Sequence, residues 1–161
     1  MEMNSSEVPV KIAIEDPSSA NARVCLEQFA LEISRRLKSE FDPSTILLAD
    51  PRELKAPKGV FLVASLYGNA IGSAALAFNG KSGAILQRMW VNPSARGLGI
   101  GRRLIDEIEK KARENGVKSI RLETNSVLHE AIVLYRRYGY VEIDAFTDDS
   151  PADHWFEKHL V

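Results

Sequence analysis

The sequence predicts an α/β (α+β) fold: a mixed, mostly antiparallel sheet of six or seven strands, flanked by helices, with a parallel βαβ unit at its centre. Three observations lead there. Short apolar stretches in the middle of the chain are joined by Gly-Asn and Asn-Gly turns, as hairpins are. Strand-like and helix-like periods then alternate twice, which is the pattern of a βαβ unit. Between the first such strand and helix lies a turn with glycine at alternate positions, Gly97, Gly99 and Gly101.

In order along the chain, residues 1–8 read as a loose polar tail on one domain spanning 1–161. Val8–Ile14 alternates as a strand does, and Asp16-Pro17 ends it. From Ala20 to Lys38 a stripe of Val24, Leu26, Phe29, Ala30, Ile33 and Leu37 predicts a helix. Pro43, Pro51 and Pro57 make the next segment loop-rich, with one short helix near Asp50–Lys55. Gly59–Tyr67 and Ala70–Phe78 form a hairpin, and Gly83–Val91 is the following strand. Leu104, Ile105, Ile108 and Ala112 repeat at helical spacing until Asn115-Gly116 closes the helix. Val117–Glu123 is a strand and Val127–Tyr138 a second amphipathic helix. Gly139–Ala145 and His154–Leu160 are the last strands, separated by the acidic loop Phe146–Asp153.

Composition narrows the function classes. Hydrophobic residues at 45% and charged residues at 27% describe a folded soluble domain, and a formal net charge of −1 offers no global field for nucleic acid or anionic lipid. Neither a membrane nor a nucleic acid is expected as partner. A third reading, a nucleic-acid backbone bound by the basic residues of Arg96–Arg113, is opposed by Asp106, Glu107, Glu109 and Glu114 among them. No basic-then-apolar leader opens the chain, and Cys25 is a single cysteine, so a reducing cytoplasm is the expected location. His129, His154 and His159 with Cys25 give no zinc-like spacing, so no metal is expected.

The segment richest in chemistry is Val91–Arg103, VNPSARGLGIGRR. Glycines where a strand turns into a helix let backbone N–H groups approach an anion, and the helix dipole adds positive partial charge. A phosphate or pyrophosphate suits this turn, with Arg96, Arg102 and Arg103 to add charge-assisted bonds; an ordinary glycine-rich turn with solvated arginines is the other reading. A Walker loop is absent, since Arg102-Arg103 stands where Lys-Ser/Thr is required, and the Rossmann spacing fails at Arg102 and Leu104.

R-G-L-G-I-G-R-R-L-I resembles the coenzyme-A-binding signature [Q/R]-x-x-G-x-[G/A] of the GNAT superfamily of N-acetyltransferases, with Arg96, Gly99 and Gly101 on its defining positions. The preceding QRMWVNP, and the L-E-T-N…A-I-V-L-Y-R-R-Y-G-Y pattern of residues 122–140, resemble further parts of that family. The resemblance implies that the strand Ile85–Val91 splays from Ser119–Thr124 and that the pantetheine arm of acetyl-CoA lies in the gap against Met89, Trp90 and Val91. It implies that the amides of Arg96, Gly97, Leu98, Gly99, Ile100 and Gly101, with Arg102, hold the pyrophosphate. Tyr135 falls on the tyrosine that protonates the departing thiolate, and a phenol with a pKa of about 10 keeps the necessary proton at neutral pH. By periodicity alone Tyr135 belongs to the core stripe of its helix, with Leu128, Ala131, Ile132 and Tyr138.

The sequence also departs from the family pattern. Ile85 stands where many relatives carry the carboxylate that deprotonates the amine, and Leu128 replaces an asparagine that contacts pantetheine, a contact that is either lost or supplied by Asn125. Glu123 is the first candidate base, with a solvated strand-end carboxylate as the plainer reading, and His154 is the second. Cys25 has no adjacent activating base and is not expected to carry the acyl group. The expectation is an N-acetyltransferase acting in a ternary complex on a small-molecule or peptide amine, with the acidic loop favouring a cationic one. The alternative is a coenzyme-A-binding sensor or partner module with little turnover. Homodimers are common in the family.

Overall fold

The computed structural model describes residues 9–38, 42–148 and 150–161; the expected tail at 1–8 lies outside them, as does Asp149. The elements run β1 (Val10–Ile14), α1 (Ala20–Leu37), α2 (Ser44–Leu47), β2 (Gly59–Leu66), β3 (Asn69–Asn79), β4 (Gly83–Val91), α3 (Ile100–Glu114), β5 (Ser119–Thr124), α4 (His129–Arg137), β6 (Val141–Ile143) and β7 (His154–His159). The seven strands form one sheet in the order β1-β2-β3-β4-β5-β7-β6. Only β4 and β5 run parallel; every other neighbouring pair is antiparallel.

Both faces of the central sheet are covered, which explains the continuous apolar run of β2. Val60, Leu62 and Ala64 face a large cluster with Leu104, Ile105, Ile108 and Ala112 of α3 and Tyr135 of α4. Phe61 and Val63 face a smaller one with Ala22, Cys25, Leu26 and Ala30 of α1, Ile46 of α2, and Trp90. Helix α1 starts where the Ser19 hydroxyl accepts from the Ala22 N–H at 3.1 Å. Leu104 is fully buried between α3 and the sheet. Leu104→Ala is therefore expected to cost about 2–5 kcal/mol of unfolding free energy, measured by denaturant titration.

The structure corrects several expected boundaries. Helix α2 was not legible, because its single buried residue, Ile46, sets no period. The short helix expected at Asp50–Lys55 is a 3-10 turn over Pro51–Leu54, capped by the Asp50 carboxylate. Helix α4 begins at His129 rather than Val127, because the Asn125 side chain accepts from the Val127 N–H and forms a turn. Strand β6 contracts to three residues, all paired with β7, where seven were expected at Gly139–Ala145.

The feature that shapes the site is in β4. Its parallel pairing with β5 stops after Ile85↔Arg121, and beyond that point the strands part. Against β3 the register passes from Ala75↔Gln87 to Ser73↔Trp90, so Arg88 and Met89 together oppose Ala74 alone as a bulge. Arg88 sits at φ 56°, and the Ser73 hydroxyl donates to its carbonyl at 2.7 Å, which pins the bulge to β3.

Candidate active site

The gap between β4 and β5 opens onto two clefts that meet in the middle of the molecule. The first, about 590 Å³, is lined by the strand end Met89–Val91, the turn Arg96–Arg102, one face of α4 and the α1 residues Phe29, Glu32 and Ile33. The second, about 410 Å³, is lined by Ile85–Met89, Glu123–Asn125, Tyr135, the loop Ser150–Ala152, and residues of α1 and α2. Phe29, Ile33, Met89, Leu128 and Ala131 border both. Together the clefts make a passage from the glycine turn to Tyr135.

The glycine turn presents a row of unpartnered backbone N–H groups at a helix start, an arrangement that suits an anion. Gly99 caps α3 in the left-handed region at φ 77° with no side-chain cap. Among the described residues, no carbonyl or side chain accepts from the N–H groups of Gly97, Leu98 or Gly99. Those of Ile100, Gly101 and Arg102 open the helix, where no intrahelical acceptor exists. A Cβ at Gly101 would stand 3.1 Å from Leu134 Cδ2, so glycine there permits the close approach of α3 to α4. The side chain of Arg102 is exposed at the mouth of this cleft.

Arg96 is placed differently from a free phosphate ligand. Its Nη2 donates to both carboxylate oxygens of Glu32, at 2.9 and 2.8 Å, and its Nε donates to the Val91 carbonyl at 3.1 Å. Its guanidinium ties the turn to α1 and its backbone N–H donates to the Pro93 carbonyl at 3.4 Å, so Arg96, expected to offer an amide to the pyrophosphate, offers none and the unpartnered amides begin at Gly97. Arg36 completes the tie by pairing with Glu130 of α4 at 2.5 Å and donating to the Val127 carbonyl at 3.2 Å. Burial opposes the charge on Glu130, but a hydrogen bond from its own backbone N–H, the Arg36 side chain and the charge of Arg96 together hold its pKa below the usual carboxylate value.

On the far side, Tyr135 is 5% exposed, with Tyr140 and Phe156 at ring distances of 5.9 and 6.4 Å. Burial raises its pKa well above that of a free phenol, so the hydroxyl is protonated throughout the neutral range. Glu123 borders the same cleft, exposed, and its Oε2 accepts from the hydroxyls of Thr147 at 2.5 Å and Ser150 at 2.7 Å. Asn125 also lies on this side rather than in the first cleft. Its amide donates to the Pro151 carbonyl at 2.7 Å and its oxygen accepts from Val127 N–H, so its polar groups are committed to the loop. His154 lines neither cleft; its Nδ1 lies 2.6 Å from Glu142 Oε2. Cys25 is fully buried, and burial pushes its thiol up to about 12, which leaves almost no thiolate at neutral pH.

The structure brings the strand end, turn and helix start together in one cleft, with Tyr135 and Glu123 lining the other. The sequence reading missed the wall contributed by α1, since Phe29 and Ile33 read only as a core stripe. It also missed Arg137, exposed at the first cleft, whose signal was a basic residue in the last turn of α4. Trp90 edges the first cleft while its ring is 4% exposed within the smaller core. Among the described residues no group of three His, Cys, Asp or Glu is arranged to hold a metal ion, and no helix is long and apolar enough to cross a membrane.

Comparison with known proteins agrees with this geometry. The family model of the acetyltransferase (GNAT) domain matches residues 57–142. A protein of Azospirillum brasilense named IAA acetyltransferase is 34% identical over 154 residues, covering 94% of this chain and 98% of that protein. A crystal structure from Klebsiella pneumoniae, classed as an acyl-CoA N-acyltransferase, superposes with a TM-score of 0.78 at 27% identity, over 96% of this chain and 99% of that one. An aminoglycoside 6'-N-acetyltransferase solved with coenzyme A shares the fold, with a TM-score of 0.68 at 18% identity over 94% and 97% of the two chains. By its family match, its full-length relative and its fold, this chain is a member of the GNAT acetyltransferases.

Proposed function

We propose that the chain, acting as one catalytic unit, transfers the acetyl group of acetyl-CoA to a primary amine by direct attack in a ternary complex. The observation that carries this reading is the passage through the β4–β5 gap, with an anion cradle at one end and a protonated, buried phenol at the other. The pyrophosphate lies on the amides from Gly97 to Arg102, with Arg102 and Arg137 beside it, and the pantetheine arm follows Met89 and Val91 into the gap. The amine nitrogen attacks the thioester carbonyl, the tetrahedral oxyanion takes a hydrogen bond from a main-chain N–H in the Met89–Val91 segment, and the C–S bond breaks. Tyr135 gives its proton to the thiolate. The proton lost by the amine goes to Glu123, directly or through water, because this carboxylate is held at the second cleft by two hydroxyls.

A covalent acyl-enzyme through Cys25 is disfavoured by the burial of its thiol. The name of the Azospirillum relative directs the acceptor search toward small molecules. The test is release of free thiol from acetyl-CoA across a panel of amines. Glu123→Gln is expected to lower kcat by roughly 10²–10⁴-fold, the range of a lost general base, with KM for acetyl-CoA unchanged. A Gln variant with unaltered turnover would leave Glu123 as a loop anchor only.

A further inference from the structure

The second cleft holds a cation that the acetyl-transfer reading does not use. Arg88 lies in the β4 bulge and lines that cleft with Phe29, Ile33, Leu37 and Ile46. Its Nε is buried and has no hydrogen-bond partner among the described residues. Burial lowers its pKa from the usual value, with no compensating carboxylate among the causes. An arginine Nε shut off from water with no acceptor among the described residues is costly, and a planar anion reaching the guanidinium satisfies it. The backbone is arranged to put it there. Arg88 is a non-glycine residue at φ 56°, a conformation disfavoured for an L side chain, and the Ser73 hydroxyl holds its carbonyl from the neighbouring strand. Bulges commonly re-aim a side chain next to a site.

We propose that Arg88 is the seat for a carboxylate on the acceptor, which makes the acceptor a small amino acid with an apolar side chain. The inference rests on the acetyl-transfer reading and adds the substrate class. Glu123 borders the same cleft without pairing with Arg88, so the two opposite charges are free for the two ends of a zwitterion. The amine lies toward Glu123 and the gap, the carboxylate toward Arg88, and the apolar body against Phe29, Ile33 and Ile46. A cleft of about 410 Å³ is in the range for a ligand of this size. The acidic loop then draws in the ammonium end, and a polycation is not required.

The test compares leucine, leucinamide and isopentylamine as acceptors, with thiol release from acetyl-CoA as readout. The full-length protein should use leucine with a kcat/KM ten- to a hundredfold above the two carboxylate-free amines, the range expected of a bidentate charged hydrogen-bonded pair. Arg88→Gln should bring the ratio of leucine to leucinamide close to one, chiefly through KM for leucine, and Arg88→Lys should restore part of it. If the wild type uses leucinamide or isopentylamine as well as leucine, the carboxylate seat is overturned while acetyl transfer stands. Equal loss on acid and amide in Arg88→Gln, with a lowered melting temperature, also overturns it and makes Arg88 a structural residue. The wild-type comparison decides the matter even if the variants fail to fold. Thiol release with none of the three, but with other amines, overturns the inference alone; release with no amine at all overturns both readings.

Discussion

Tyr135→Phe is expected to lower kcat at least a hundredfold while leaving the affinity for acetyl-CoA nearly unchanged. The substitution removes one oxygen. The ring keeps its neighbours Tyr140 and Phe156, and no hydrogen bond to a described residue is lost, so the melting temperature should move little. A hundredfold loss corresponds to about 2.7 kcal/mol of transition-state stabilisation, a reasonable value for a proton donor at a departing thiolate. The direction of the pKa shift makes a second check. Because burial raises the phenol pKa, its protonated form persists as pH rises, and the alkaline arm of kcat should show no titration of this group below about pH 10. Steady-state kinetics with thiol detection across pH measures both. Wild-type turnover in the Phe variant would reduce the phenol to packing. A coenzyme-A-binding sensor would bind in both forms and turn over in neither.

The second large effect concerns the glycine turn. Acetyl-CoA at 100 times its dissociation constant should stabilise the protein by about 2.7 kcal/mol, a rise in melting temperature of roughly 5–10 °C for a chain of this size. Gly99→Val should abolish that rise. At φ 77° any side chain at Gly99 is strained, and its Cβ would stand 3.4 Å from Arg102 Nη2, beside the amides that face the anion. Gly101 behaves differently from what its place in the motif implies. A Cβ there points at Leu134 and Met89 rather than into open space, so Gly101→Val should lower the melting temperature of the free protein as well, by forcing α3 from α4. A wild-type melt unmoved by millimolar acetyl-CoA would remove the basis for the proposed reaction.

What the sequence by itself determined is what local rules encode. The helical stripe of Leu104, Ile105, Ile108 and Ala112, the hairpin turns and the alternate glycines each depend on residues close together in the chain. Their periods were enough to place the strands and helices along the chain and to mark the parallel βαβ unit, whereas the gap with Gly97–Arg102 and Tyr135 about it came only as what the family resemblance implied. Where local rules were weak, boundaries slipped, as at the short α2 and the three-residue β6.

Only the tertiary structure decided the partners. Arg96 looked like a phosphate ligand until Glu32, 64 positions away on α1, was found holding its guanidinium. Asn125 looked like a pantetheine contact until Pro151, 26 positions away, was found accepting from its amide. Arg88 carried no signal at all in a strand pattern, because a buried Nε with no acceptor among the described residues depends on everything that surrounds a side chain. The physical reason is range: backbone conformation follows mainly from steric and hydrogen-bonding preferences within a few residues, whereas the charge state, solvation and availability of a side chain are set by whichever distant groups the fold brings against it.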